Sequence, residues 1–349
     1  MSRIKAAVQH LREKLRVAGF GAVTGGWMVL GWAKRIRAET TNMRVAILAA
    51  LGVMHAGLAQ AEGFAWPKLD NIVGVSRLFN NDFLGDGNDR WRTGSYEVSV
   101  TFGEQVLDGM PNEPFSLIQY RLRSEIIAPA DLSVTTAFPD RAYAGVIGLG
   151  AFTHFEKGGY NLSYGGELVF VGPSTGVGRF QRWAHKQIGA QTPNMLGDQL
   201  GDHIYPTIQG EISRDLRAGD ALFRPFAEAQ AGVESYARIG IDAVFGKNLS
   251  RNFFVREPIT GHLVTNVRSS DARSFGFMMG GDLAYVGDSK LLPESRGYTV
   301  ESFRPRARAG FVYEGESAGL FYGLTWLGKE FEGQSDSQVT GSLNVKFNF

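Results

Sequence analysis

SLNVKFNF, residues 342–349, decides the fold. On an extended chain Leu343, Val345, Phe347 and Phe349 fall on one side, and Asn344, Lys346 and Asn348 on the other. A period of two marks a strand with one apolar and one polar face. The same alternation runs through YEVSVTFG (Tyr96, Val98, Val100, Phe102) and ARIGIDAVFG (Ala237, Ile239, Ile241). Turn-forming clusters such as EKGGY, EGESAG and EGQSDSQ separate these runs.

Alternating strands suit a secreted sandwich or soluble barrel, or an outer-membrane barrel that is apolar outward and polar inward. Three features favour the membrane barrel. The strand segments are about ten residues long, as a tilted span requires. Aromatics gather near strand ends, as in Phe321, Tyr322 and Trp326. The last strand closes on Phe349, as the assembly signal of bacterial outer-membrane barrels does. The expectation is therefore an all-β, transmembrane antiparallel barrel. Residues 62–349 would supply about ten to fourteen strands.

Composition agrees. Hydrophobic residues make up 44% and charged residues 20% of 349, with 45 glycines. That fits a turn-rich β protein and not a disordered chain. The absence of cysteine excludes disulfides, thiol catalysis and thiolate metal sites. MRVAILAALGVMHAGLAQA, from Met43 to Ala61, reads as a signal peptide: Arg44, then an apolar run, then Ala59-Gln60-Ala61. Residues 1–42 read as an extension from an upstream mis-start. Nine of the 36 basic and two of the 35 acidic side chains lie in residues 1–61, which leaves 27 against 33, a net charge of −6. Nothing there points to nucleic acid. No window of residues 62–349 is apolar enough for a transmembrane helix.

Chemistry concentrates in two places. NNDFLGDGNDRWRTG, residues 80–94, crowds acids and amides around glycines. As an EF-hand loop it fails, because Leu84 and Thr93 stand where acidic ligands belong. Leu84 to Asn88 reads as a solvated turn, with Asn81, Asp82 and Thr93 flanking it. The second place is residues 178–203. There Phe180, Trp183, Ala184, Gln187 and Ile188 share a helical face, and His185 rides on that short helix.

Taken together, Asn81-Asp82, then Asp89-Arg90 with Thr93, then His185 with Ile188-Gly189-Ala190, the chain resembles the outer-membrane lipid A 3′-O-deacylase family. The resemblance implies a twelve-stranded barrel in the bacterial outer membrane. It implies hydrolysis of the ester-linked 3′ acyl group of lipid A, with calcium as cofactor, lipopolysaccharide of the outer leaflet as substrate, and a monomer. In that reading His185 is the general base, and Asn81 and Thr93 orient water or donate to the oxyanion. Asp82 is a calcium ligand, with the backbone at Gly94 and the side chain of Gln191 completing the shell. The family has glutamate where this chain has Gln191, so Asp198 and Asp202 are the carboxylates that could substitute.

Two other classes fit a barrel. An outer-membrane phospholipase would pair a serine with histidine; a passive pore would need neither. GESAG, residues 315–319, matches G-x-S-x-G, but alternating strands flank it, so Ser317 reads as a hairpin serine. GVIGLG, residues 145–150, lacks a following helix and is no dinucleotide loop.

Overall fold

The computed structural model describes residues 71–103, 109–136, 138, 140–268, 272–316 and 318–347. The expected signal peptide, the segment before it, Ser317 and Phe349 lie outside the described residues. Trp66–Gly178 and Asn194–Phe349 form one unit, and Arg179–Pro193 belongs to another.

Among the described residues, fifteen strands and one α-helix follow in order: β1 (Ile72–Asn81), β2 (Trp91–Gly103), β3 (Leu117–Ala128), β4 (Ala144–Lys157), β5 (Tyr160–Val171), α1 (Val177–Ile188), β6 (His203–Ser213), β7 (Leu216–Ala218), β8 (Ala221–Ala231), β9 (Glu234–Phe245), β10 (Phe253–Arg256), β11 (Leu263–Val267), β12 (Ser274–Ser289), β13 (Phe303–Glu314), β14 (Ala318–Leu327) and β15 (Gln338–Phe347). Twelve long strands pair antiparallel with their neighbours. The ring closes where β1 meets β15 and where β6 meets β8. This is the closed all-β barrel that the alternation of residues 342–349 led us to expect. GVIGLG lies wholly within β4, and Gly315 donates to the Ala318 carbonyl in a hairpin turn, so neither motif has its enzymatic setting.

The period-two pattern sets inside against outside. Ile239, Ile241, Phe275, Phe277 and Leu283 are exposed outward, while Arg238, Asp242 and Asp282 are buried inward. A wall apolar on its outer face is stable in lipid, because strand N–H and C=O groups pair between neighbours in the closed sheet. Tyr322 and Trp326 face outward as expected. Phe321 does not: it is buried in the lumen, 5.1 Å from the His262 ring. It occupies the opposite parity to Tyr322, so it cannot belong to an outer girdle.

The lumen is filled. The β10–β11 hairpin folds into it, and Arg306 Nη1 donates to the Pro258 and Ile259 carbonyls at 2.8 Å. Arg306 and Arg308 pair with Asp282, and Arg308 also with Asp242. Longer connections lie at the end where β1 runs into β2 and β5 runs into β6. By the rule for outer-membrane barrels this is the outer end.

Candidate active site

β1 ends at Asn81, and a short 3₁₀ turn, Asp82–Leu84, leads the chain away. Asn81 caps that turn: its Oδ1 accepts from Phe83 N at 2.9 Å. Asp86 shapes the rest. It accepts from Asn88 N at 3.1 Å and from Val339 N at 3.1 Å, which ties the turn to β15. LGDGN is therefore connection, as its sequence suggests.

The start of β2 is irregular. Trp91 has φ 53°, a conformation that bulky residues rarely adopt. It is buried, and its Nε1 donates to Asp140 at 3.1 Å, so its surroundings hold it there. The β2–β3 ladder skips from Trp91 to Gly94. Within that bulge Arg92 points into the lumen, where its guanidinium meets Glu125, Glu234 and Glu330. Thr93 faces Asp82 instead.

Asp82 is fully buried. Its Oδ2 accepts from Arg90 N at 2.7 Å and Gln338 Nε2 at 3.2 Å. Its Oδ1 lies 2.9 Å from Thr93 Oγ1, which is also 2.5 Å from Asp89 Oδ1. One hydroxyl proton cannot serve both carboxylates at once. Burial, with Asp89 and Asp86 close by, pushes the Asp82 carboxyl up to about 8.

Of Asn81, Asp82, Thr93 and Gly94, only Asn81 and Gly94 face the lipid side of the wall; Asp82 and Thr93 are buried behind them. Asn81 shares the outward parity of Val75 and Phe79, and Gly94 that of Tyr96 and Val98. Pairing places Gly341, Asn81, Gly94, Ile126 and Gly145 in one row across five neighbouring strands. A Cβ on Gly94 would come 3.2 Å from Asn81 Nδ2, so glycine leaves room for that amide. At one end of the row the turn lies flat on the wall: a Cβ on Gly341 would come 2.5 Å from Leu84 Cβ. Tyr322 fixes it there, donating to the Leu84 carbonyl at 2.8 Å. At the other end Thr175 and Val177 cover Gly145, each 2.8 Å from where its Cβ would be. Phe83 is 74% exposed beside the site.

The helix expected around His185 is present as α1. Gly189, at φ 70°, ends it in the left-handed conformation, and Ala190 N donates back to the His185 carbonyl at 2.9 Å. The reversal brings Gln191 over His185, whose Nδ1 lies 2.5 Å from the Gln191 carbonyl. A carbonyl can only accept, so Nδ1 carries the proton and Nε2 the basic lone pair. This gives the H-x-x-I-G-A spacing a physical reason. The oxygen that Gln191 offers His185 is its backbone carbonyl, so glutamate or glutamine would serve equally there.

The structure thus brings Asn81, Asp82, Thr93 and Gly94 together in the barrel unit, and His185 and Gln191 together in the second unit. Asp198 pairs with Arg296, and Asp202 accepts from Ser174 N at 2.8 Å, so both are engaged elsewhere. Among the described residues no group of three His, Cys, Asp or Glu forms a metal cage. What Asp82, Asn81, Thr93 and Gly94 offer is one carboxylate among neutral oxygens. That donor chemistry suits a hard cation such as Ca²⁺, which would have to overcome the preference of the buried Asp82 for its neutral form. Gln338 and Gly341, both on β15, carry no local motif and escaped the sequence reading.

Comparison with known proteins bears on the fold and the family. A family model described as "Outer membrane protein LpxR" matches residues 45–349. Curated protein sequences give no match. Among solved structures, LpxR from Salmonella typhimurium is similar with a TM-score of 0.66 at 17% identity, over 79% of this chain and 100% of that one. The β domain of the Bordetella autotransporter BrkA reaches 0.36 at 10% identity, over 80% and 100%. Pseudomonas putida OprB reaches 0.28 at 10% identity, over 73% and 59%. A family model that spans the barrel and the site motifs, with a barrel of the same build, places this chain in the bacterial outer membrane as a member of the LpxR family.

Proposed function

We propose that the protein is a calcium-dependent hydrolase that removes the ester-linked 3′ acyl or acyloxyacyl group from lipid A, acting as a monomer. Family membership supports an outer-membrane enzyme that modifies lipid A. The observation that carries the finer reading is the position of the Asn81–Asp82–Thr93 cluster. Its Asn81 faces outward at the outer end of the wall, where an acyl ester of the outer leaflet would present itself, with Asp82 and Thr93 buried directly behind it.

Each residue then has a task. His185, with Nδ1 held by the Gln191 carbonyl, takes a proton from water at Nε2. That water adds to the ester carbonyl, and the products are a fatty acid and a free 3′ hydroxyl. Asn81 uses its Oδ1 to cap the turn, so its Nδ2 is the group that donates to the oxyanion. Thr93 holds Asp82 in place. Asp82, the Gly94 backbone and the Gln191 side chain would hold calcium, which when bound polarises the ester carbonyl.

The test is the lipid A mass spectrum of Gram-negative cells expressing the protein. The expected result is loss of the 3′ acyl unit, with His185→Ala and Asp82→Ala reducing the rate by about 10²- to 10⁴-fold. Chelation should stop the reaction and Ca²⁺ restore it. Unchanged lipid A from cells with a folded barrel refutes deacylation; activity indifferent to chelator refutes only the metal.

A further inference from the structure

Gln338 is the first residue of the last strand, and it is 2% exposed. Its Nε2 lies 2.6 Å from the Arg90 carbonyl, 3.2 Å from Asp82 Oδ2 and 3.3 Å from the Arg92 carbonyl. Its Oε1 accepts from Arg92 N at 3.3 Å. Acceptors surround one branch of the amide and a donor meets the other, so its orientation is fixed. Glutamate would lose the donors, and an aliphatic side chain would lose both.

The segment it grips is the one the sheet leaves open. Between Trp91 and Gly94 the β2–β3 ladder is interrupted, so Arg92 has no ladder partner in β3. The seam that delivers Gln338 is short: β1 pairs with β15 only through Phe79–Asn81 against Gly341–Leu343. Those pairs sit at the outer end, beside the site. Ser342 Oγ donates to Asn80 Oδ1 at 2.7 Å and secures the same corner.

We propose that Gln338 is the positioning residue of the site: its amide holds the Asp82 carboxylate and the Arg90–Arg92 backbone in one arrangement. The site is therefore complete only once the last strand has closed on the first. This rests on the hydrolase reading above. Gln338 does not touch substrate; it acts through Asp82 and through the bulge that presents Thr93.

The test uses the full chain in detergent with lipopolysaccharide as substrate. Gln338→Met keeps length and volume but removes every hydrogen bond. It should lower kcat by about 10- to 100-fold with KM nearly unchanged, because misplacement of reacting groups and not binding is affected. Heat-modifiable gel mobility should remain that of the folded barrel. If Gln338→Met does not assemble, Gln338→Glu decides, since it keeps the acceptor for Arg92 N and loses the donor to Asp82. A folded variant with wild-type kcat, or one whose loss lies wholly in KM, overturns this role alone, provided wild type is active and His185→Ala is not. A wild type that releases no acyl chain overturns the hydrolase reading, and this role with it.

Discussion

The Thr93 hydroxyl lies 2.9 Å from Asp82 Oδ1, inside a site where Asp82 is fully buried. Thr93→Val deletes that partner and leaves a buried carboxylate oxygen without it. The expected cost is about 1–3 kcal/mol in stability, with a larger fractional loss of deacylation. Thr93→Ser should retain most of both. The unfolding midpoint on heat-modifiability gels, beside lipid A mass spectra, reads the two effects.

Asp82 also sets a pH dependence. Its carboxyl is raised, so the folded state favours the protonated form. The associated stability is fully present below the usual value of 3.8 and is lost as pH rises to about 8. In chelator, the unfolding midpoint should therefore fall between about pH 4 and pH 8. Asp82→Asn should flatten that slope. Calcium should oppose the fall, because a cation favours the charged form. Midpoints that are flat in chelator for the unaltered protein contradict this.

Gly341 governs how closely the β1–β2 turn lies on the wall. Gly341→Ala places a Cβ 2.5 Å from Leu84 Cβ, so the turn must lift. A displacement of this size should reduce the deacylation rate by about tenfold or more while the barrel still assembles. A fully active Gly341→Ala protein would show that the turn's seat does not matter.

Among the described residues, Arg92 is the one cation that meets Glu125, Glu234 and Glu330 together. Arg92→Ala strips all three buried carboxylates of that partner. Removal of one member of a buried ionic group costs about 3–5 kcal/mol. Lysine presents a single ammonium in place of the guanidinium fork, so Arg92→Lys should rescue only part of the stability. Denaturant midpoints of the purified barrel measure it.

Much of this molecule is legible in local pattern. Leu343 against Asn344, or Ile239 against Arg238, fixes which face is lipid and which is lumen, because a strand has a period of two. The His185 helix and its Gly189 stop are local as well, since a left-handed residue after an apolar helical face is a short-range instruction. Phe321 shows the limit: an aromatic near a strand end reads as girdle until its parity is known, and parity depends on register.

The sequence by itself determined the barrel, the helix around His185, and the polar cluster at Asn81, Asp82 and Thr93. Only the tertiary structure decided that Asn81 and Gly94 face outward while Asp82 and Thr93 are buried, that the β10–β11 hairpin folds into the lumen, and that Gln338 and Gly341 seat the site. The reason is physical. Periodicity and turn chemistry act within a few residues, whereas barrel closure joins the first strand to the last, and no local signal at residue 82 names its partner at residue 338.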